Sequence, residues 1–549
     1  MQNFLRDREK WKNVRENPQY KPLLDALFEE YDRSCKDKEI PLIKFSDEMD
    51  FTKTGDRKRF NAKYFLARKQ LSVYAILSMI YPENEEYLEK LEDVICAICN
   101  EYSWQISAHR PRIDKNKRDG LSLFSCETGL YLAEIKQMLI DRLDPLVIER
   151  ITAEIDKRIL KSFENSHNLW IETLKSNWAA VCGGSIGMTF MYESPERFYN
   201  VSTRIDAFMK NYLDGISDDG GTSEGADYWN YGFCFYAMYF DTFTRYVRGN
   251  VAGLEKEKVR KMANFYSSIY LNNKNMVSFS DSGGSGEYHM WLIHFLKKKF
   301  DIVMPPAEGA YIDFEKFSAA VRAFLYYDSA YITDSVKVGK AHFEKLSWYI
   351  ERKEKYGFAI KAGHNGEEHN HNDIGSFIVA NKRKQVLCDL GAAQYTAVNF
   401  GKDRYTIFNN SSLGHSVPIV NGSEQGTGKE FFGTLKVGDR ITVDMKNAYP
   451  EKIEKLTRSV ELKENSIILT DEFSGMYEIK ERFVTEEKPI ISDNSIILDG
   501  VTLSCDAAWK LFSSEKAIKA HNGIDERKVY ILDFKPKEKT ETFNLYIKF

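Results

Sequence analysis

Ten histidines occur in this chain of 549 residues, and five of them, His342, His364, His369, His371 and His415, fall between residues 342 and 415. Imidazole exchanges protons near neutral pH and is the commonest protein ligand for metals, so this concentration is the strongest chemical signal in the chain. In GHNGEEHNHNDIGSF, His369 and His371 are spaced i, i+2. On a strand both side chains would face the same way, and on a turn they would diverge. Asp389 and His415 follow downstream, and two imidazoles with one carboxylate make a tridentate site for a borderline metal such as Zn²⁺. Asn372 and Asp373 are then candidates to hold the ring N–H groups. The competing reading is a loop of polar residues hydrogen-bonded to one another.

A second dense segment is DDGGTSEGADYWNYGFCFY, residues 218–236, where glycine-rich polar sequence runs into an aromatic helix start. Tyr228 and Tyr231 are i, i+3 on that helix, so with Glu224 they are expected to stand together. Two phenols beside a glycine loop suggest ligand chemistry, against the alternative that both pack the helices. The third is Asn177 in KSNWAAVCGGSIG, an amide followed by small residues that let helices approach closely. Taken alone it reads equally as a cap or a core amide.

The elements that must position these residues divide the chain in two. Up to about residue 340 the pattern is helical, as in NEEYLEKLEDVICAICNEY, with apolar residues at i, i+3, i+4 and i+7. Ser125 followed by Glu127 reads as one helix start. From about 345 short alternating runs such as YGFAIKA, DRITVDM and SIILTDEF predict a large antiparallel β domain, a sandwich. The expected organisation is α+β: helices over 1–340 and sheets over 341–549, packed tightly because no Pro- or Gly-rich linker separates them. A cleft at that seam is the default site.

Composition agrees: hydrophobic residues are 43%, charged 29% and aromatic 13%, as in a globular protein with ample core. Lys+Arg number 77 against 81 Asp+Glu, a net charge of −4 that argues against a nucleic-acid partner. The N-terminal sequence lacks the apolar core of a secretory signal, and no stretch has the length and apolarity of a membrane span. The expectation is a soluble cytoplasmic protein, and a homo-oligomer is left open. Eight scattered cysteines, including Cys96 and Cys99 in a lone CxxC, read as reduced packing residues.

Four motifs, SNWAAVCGGSIG, DGGTSEGADYWNYG, HNHNDIGSF with CDLGAAQY, and RYTIFNNSSLGHSVPIVNGSEQ, resemble the heparinase II/III-like family of polysaccharide lyases, in the family's order over about residues 100–430. The resemblance implies an N-terminal (α/α) toroid, an antiparallel β-sandwich, and β-elimination of uronic-acid-containing polysaccharides. Such a lyase removes the C5 proton beside a carboxylate, which requires neutralisation of developing charge, a base and an acid. By resemblance Asn177 is the neutralising amide, Tyr231 a phenol of lowered pKa, His369 the imidazole and Tyr405 a second phenol. Tyr228 replaces Tyr231 if the motif is read one turn earlier. The family's metal triad falls on His371, Asp389 and His415, implying a bound, mainly structural zinc.

One departure stands out: many relatives have a histidine directly after the amide, and here that position is Trp178. By the resemblance this implies restriction to one uronate epimer, reliance wholly on Tyr231 and His369, or loss of lyase activity. Weaker contacts are Trp104, His109, Arg110, Arg112, Lys115, Lys117 and Arg118, a basic loop able to meet an acidic sugar by charge and stacking. Glu224 is assigned to a sugar hydroxyl or a tyrosine, and Arg404 to a carboxylate or a structural salt bridge. The expected partner is an acidic oligosaccharide, of glycosaminoglycan type first and alginate-like second. Rival readings are a non-catalytic carbohydrate-binding protein, motivated by Trp178, and a glycoside hydrolase using Asp219 and Glu224.

Overall fold

The computed structural model describes residues 4–110, 120–247, 253–333, 335–367, 369–474, 478–492, 495–521 and 525–549. Helices dominate the first part, from Arg8–Glu16 to Phe317–Tyr326, with one short parallel strand pair, Tyr288–His289 and Ala310–Tyr311. Three helices carry the site. Leu123–Leu139 is capped by Ser122, whose backbone N–H donates to Ser125 Oγ at 2.8 Å, so the cap lies three residues before the expected Ser125. Asn177–Glu193 is buried almost throughout and packs between Pro195–Gly215 and Ala226–Val247. Its small residues do what their spacing suggests: a Cβ on Gly183 would lie 2.4 Å from Phe208, and one on Gly187 2.7 Å from Tyr239.

Beyond the helices lie antiparallel sheets of five, nine and four strands. The five-stranded sheet runs Gly339–Phe343, Trp348–Arg352, Gly357–Lys361, Phe377–Ala380, Gln385–Leu387. The nine-stranded sheet contains Ser466–Ser474, whose strict alternation of buried and half-buried residues gives it one core face. The four-stranded sheet is built on the long hairpin Trp509–Lys519 and Glu526–Pro536. Phe358, Phe377, Val460, Leu469, Phe483 and Leu532, drawn from all three, share one core.

The two parts are not separated by a linker. Trp348, Ile350 and Ile378 of the five-stranded sheet belong to the core of the helical part. Arg352 donates to the carbonyls of Ser268 and Tyr270, each at 2.9 Å, and Asn272 Nδ2 donates to Asn381 O at 2.7 Å. Among the described residues no helix is long and apolar enough to cross a membrane. Cys99 is buried and Cys96 half-buried, both free, with thiols raised by burial, as packing residues would be.

Candidate active site and metal centre

The histidine-bearing turn sits on the seam. His369 occupies a left-handed backbone conformation with φ +56°, costly for a residue with a Cβ and sustained only where the surroundings fix it. The two histidines diverge: the His369 side chain is 21% exposed, and His371 is fully buried. Both reach one carboxylate, Asp281, in the Ser/Gly loop of the helical part. His369 Nδ1 lies 2.9 Å from Asp281 Oδ2 and His371 Nε2 3.1 Å from Asp281 Oδ1. Tyr395 OH and Arg404 Nη2 also donate to Oδ2, at 3.0 and 2.9 Å. Burial alone would raise Asp281, but its hydrogen bonds from the two histidines and the Arg404 charge hold it well below the usual carboxylate range.

Around His369 stand the residues of the glycine-rich segment. Tyr228 stacks on the imidazole with ring centroids 4.0 Å apart, and its hydroxyl lies 2.5 Å from that of Tyr395. Since Tyr395 gives its proton to Asp281, Tyr228 donates to Tyr395. Burial, then the nearby Asp281 charge, raises the Tyr228 phenol, which keeps it protonated at rest. Glu224 Oε1 is 3.6 Å from His369 Nε2. Glu224 is held by Asn177, whose backbone N–H and Nδ2 donate to it at 3.2 and 3.0 Å. Asn177 is 0% exposed, so its amide meets Glu224 rather than the cleft.

Tyr231 points elsewhere. Its hydroxyl donates to Glu127, which also accepts from Tyr131, and Lys316 Nζ lies 2.9 Å from Glu127 and 4.3 Å from the Tyr231 ring centroid. The expected lowered pKa is corrected here: burial and the Glu127 charge push this phenol well above its ordinary value. Tyr228 and Tyr231 still share one cavity, of about 280 Å³, with Asp281, Tyr395 and His521. Tyr405 is half-buried beside Arg404 in the turn Arg404–Thr406.

The metal candidates lie behind His371. His415 Nε2 is 2.7 Å from the carbonyl of Asn409, and His371 Nε2 is engaged by Asp281, so both rings carry their protons on Nε2. Both Nδ1 atoms are left buried without a hydrogen-bond partner, as are Asp373 Oδ2 and Asp389 Oδ2. Donor atoms of His371, Asp373 and His415 lie within 4.8 Å of one another, and His415 Nδ1 is 3.1 Å from Asp389 Oδ2. Two imidazole nitrogens and the Asp373 carboxylate gathered in a fully buried site, with Asp389 beside His415, form a donor set suited to a borderline divalent metal, and Asp373 rather than the expected Asp389 completes the group of three. Asp373, expected as a partner for a ring N–H, instead turns Oδ2 toward this group while Lys361 Nζ holds Oδ1 at 2.6 Å.

The expected substrate contacts are redistributed. Arg404 is spent on Asp281, and Arg110 pairs with Glu48. Trp104 is buried with its indole N–H on the Ile98 carbonyl, so it is no surface platform. Arg112, Lys115, Lys117 and Arg118 lie outside the described residues. His109 stacks between Phe124 and Trp178, at 5.4 and 4.9 Å, and Trp178 meets Trp170, 57% exposed, at 5.0 Å. Burial and the Arg57 charge lower His109 to about 3, so this aromatic row is uncharged at neutral pH. Asp219 caps its own turn and accepts from Lys345 N at 2.9 Å, engaged apart from Glu224.

Sequence reasoning passed over Asp281, Tyr395 and Arg57, and took Glu127 only as a helix-start signal. Arg57 lies 5.7 Å over the Tyr395 ring, and no carboxylate pairs with it among the described residues. The signal available for Asp281 was an acid inside FSDSGGSG, which resembles any polar turn.

Residues 336–484 match the family described as Heparinase II/III-like, C-terminal. No curated protein sequence matches the chain. Among solved structures, heparinase III is similar with a TM-score of 0.63 at 13% identity, covering 98% of this chain and 91% of that one. The heparan sulfate lyase from Pedobacter heparinus gives 0.58 at 13% identity, covering 98% and 92%. A Streptomyces coelicolor chondroitin AC lyase solved with chondroitin sulphate gives 0.57 at 8% identity, covering 98% and 82%. At these identities the likeness is one of fold.

Proposed function

We propose that this chain, heparinase II/III-like in sequence over residues 336–484, is a polysaccharide lyase. On this reading its helices close as an (α/α) toroid, and it cleaves uronic-acid-containing glycans by β-elimination, leaving a 4,5-unsaturated uronate. Glycosaminoglycan-type chains are the first substrate class and alginate-like chains the second.

The observation that carries the reading is an imidazole and a phenol stacked at 4.0 Å on the seam, each with its proton placed by neighbours. With Nδ1 engaged by Asp281, His369 presents Nε2 as the acceptor for the C5 proton. The imidazolium so formed has a carboxylate on each side, Asp281 at Nδ1 and Glu224 within 3.6 Å of Nε2. Tyr228, protonated at rest, supplies the proton to the departing glycosidic oxygen. Asn177 acts through Glu224, which it anchors. The substrate carboxylate falls to Arg57, whose charge no described carboxylate offsets. Trp178, with Trp170 and His109, forms a stacking wall for sugar rings, and Tyr231 and Tyr405 line the approach.

The residues able to hold a divalent metal such as Zn²⁺ are His371, Asp373 and His415, with Asp373 in the place expected for Asp389, which reaches the group through His415 Nδ1 at 3.1 Å. A bound zinc would supply a structural brace for the loops that carry His369. Mass spectrometry of the products tests the reaction class. Elimination gives fragments whose masses sum to that of the starting oligosaccharide, and a product set heavier by one water per cleavage overturns it in favour of hydrolysis.

A further inference from the structure

Asp281 comes from the helical part, yet it is the residue on which the β part's chemistry converges. Its carboxylate is fully buried and accepts four contacts: His369 Nδ1, Tyr395 OH and Arg404 Nη2 on one oxygen, and His371 Nε2 on the other. A carboxylate is acceptor-only when ionised, so each histidine must bring a proton to it. The two rings meet it through different nitrogens. His369 is therefore held as the Nδ1–H tautomer, with its Nε2 lone pair free beside Glu224. His371 is held as the Nε2–H tautomer, with its Nδ1 lone pair free among Asp373, Asp389 and His415.

We propose that Asp281 is the positioning residue of this site, one carboxylate that fixes two histidines in opposite tautomers and so prepares the proton acceptor and the metal ligand together. The inference rests on the lyase reading for the role of His369, and its tautomer claim stands independently of it. Carboxylates that hold metal-ligating histidines tune metal affinity roughly 10- to 100-fold, and misplacing the proton of a catalytic imidazole costs on the order of 10⁴-fold in kcat. Here a single side chain does both.

The test uses the full chain with ¹⁵N-labelled histidine, loaded with zinc, at a fixed pH where both rings are neutral. Long-range ¹⁵N–¹H correlations should show Nδ1–H at His369 and Nε2–H at His371, assigned with His369→Gln. Asp281→Asn offers one acceptor where there were two, so His369 should become a tautomer mixture. Zinc affinity, read by chelator competition, should fall roughly 10- to 100-fold. On a cleaved glycan kcat should fall by on the order of 10²- to 10⁴-fold with KM little changed, and Asp281→Glu should recover part of it. Retained tautomers and unchanged zinc affinity in Asp281→Asn overturn the proposal. An Nε2–H tautomer at His369 in the wild-type protein overturns it even if Asp281→Asn does not fold. A wild-type protein that cleaves nothing defeats the lyase reading while the tautomer and zinc readouts still decide the role of Asp281.

Discussion

At the scale of single residues, the proton donor is decided by which phenol faces the imidazole. Tyr228 stacks on His369, while Tyr231 is bound to Glu127 and Lys316. Tyr228→Phe should lower kcat by on the order of 10²- to 10⁴-fold with the fold retained, and Tyr231→Phe should cost less than about tenfold. Steady-state rates of the two variants on one substrate check this, and the reverse order would move the acid to Tyr231. The i, i+3 spacing placed both phenols on neighbouring turns of one helix, but their partners come from Leu123–Leu139, Phe317–Tyr326 and the β part. Local periodicity carries no information about such distant contacts. His369 and His371 were legible because imidazole is rare in this chain and clustered. Arg57 was not, because a lone arginine between helices looks like solvated surface until its neighbours are known.

At the scale of elements, two devices hold the loops of the candidate metal site. Arg458 on the strand Lys455–Leu462 is fully buried, pairs with Asp471 across the sheet at 2.6 Å, and donates to the carbonyls of Gly375 and Ser416 at 2.8 and 2.7 Å. Those carbonyls adjoin the loops that carry Asp373 and His415. Arg458→Met leaves the buried Asp471 carboxylate uncompensated and should cost about 3–5 kcal/mol, read by denaturant unfolding, together with weaker zinc affinity at the candidate site. Gly391 has φ +60°, and a Cβ there would lie 2.0 Å from Ser282 O, where the Asp281 loop meets the Asp389 turn. Gly391→Ala should cost about 1–3 kcal/mol and lower zinc affinity, checked by thermal unfolding and chelator competition. Alternation of apolar residues predicted the strands that form these sheets. The register that brings Arg458 opposite Asp471 depends on long-range pairing and was out of its reach.

At the scale of the whole molecule, core residues run unbroken from helices to the five-stranded sheet, and three histidines, His289 and His294 buried and His109 half-buried, are held in a neutral state. Burial lowers His109 and His289 from 6.5 to about 3 and His294 to about 4. The unfolded chain takes up these protons as pH drops below about 6.5, and the folded one does not until about 3–4. Their contribution to stability is therefore complete above that window and lost as pH falls through it. Urea midpoints should decline between pH 6.5 and 4, and His289→Phe should flatten the slope; an unchanged slope would contradict this origin. The division into helices and sheets was plain from the change of period near residue 345, and the absence of a linker foretold the tight seam. The most direct test of the central claim is ultraviolet detection of the conjugated unsaturated uronate on heparan, chondroitin, hyaluronan and alginate oligosaccharides, comparing wild type with His369→Ala and Tyr228→Phe. A rise on at least one substrate that both variants abolish is the expected result; binding without any rise, or new reducing ends without absorbance, would contradict the lyase reading.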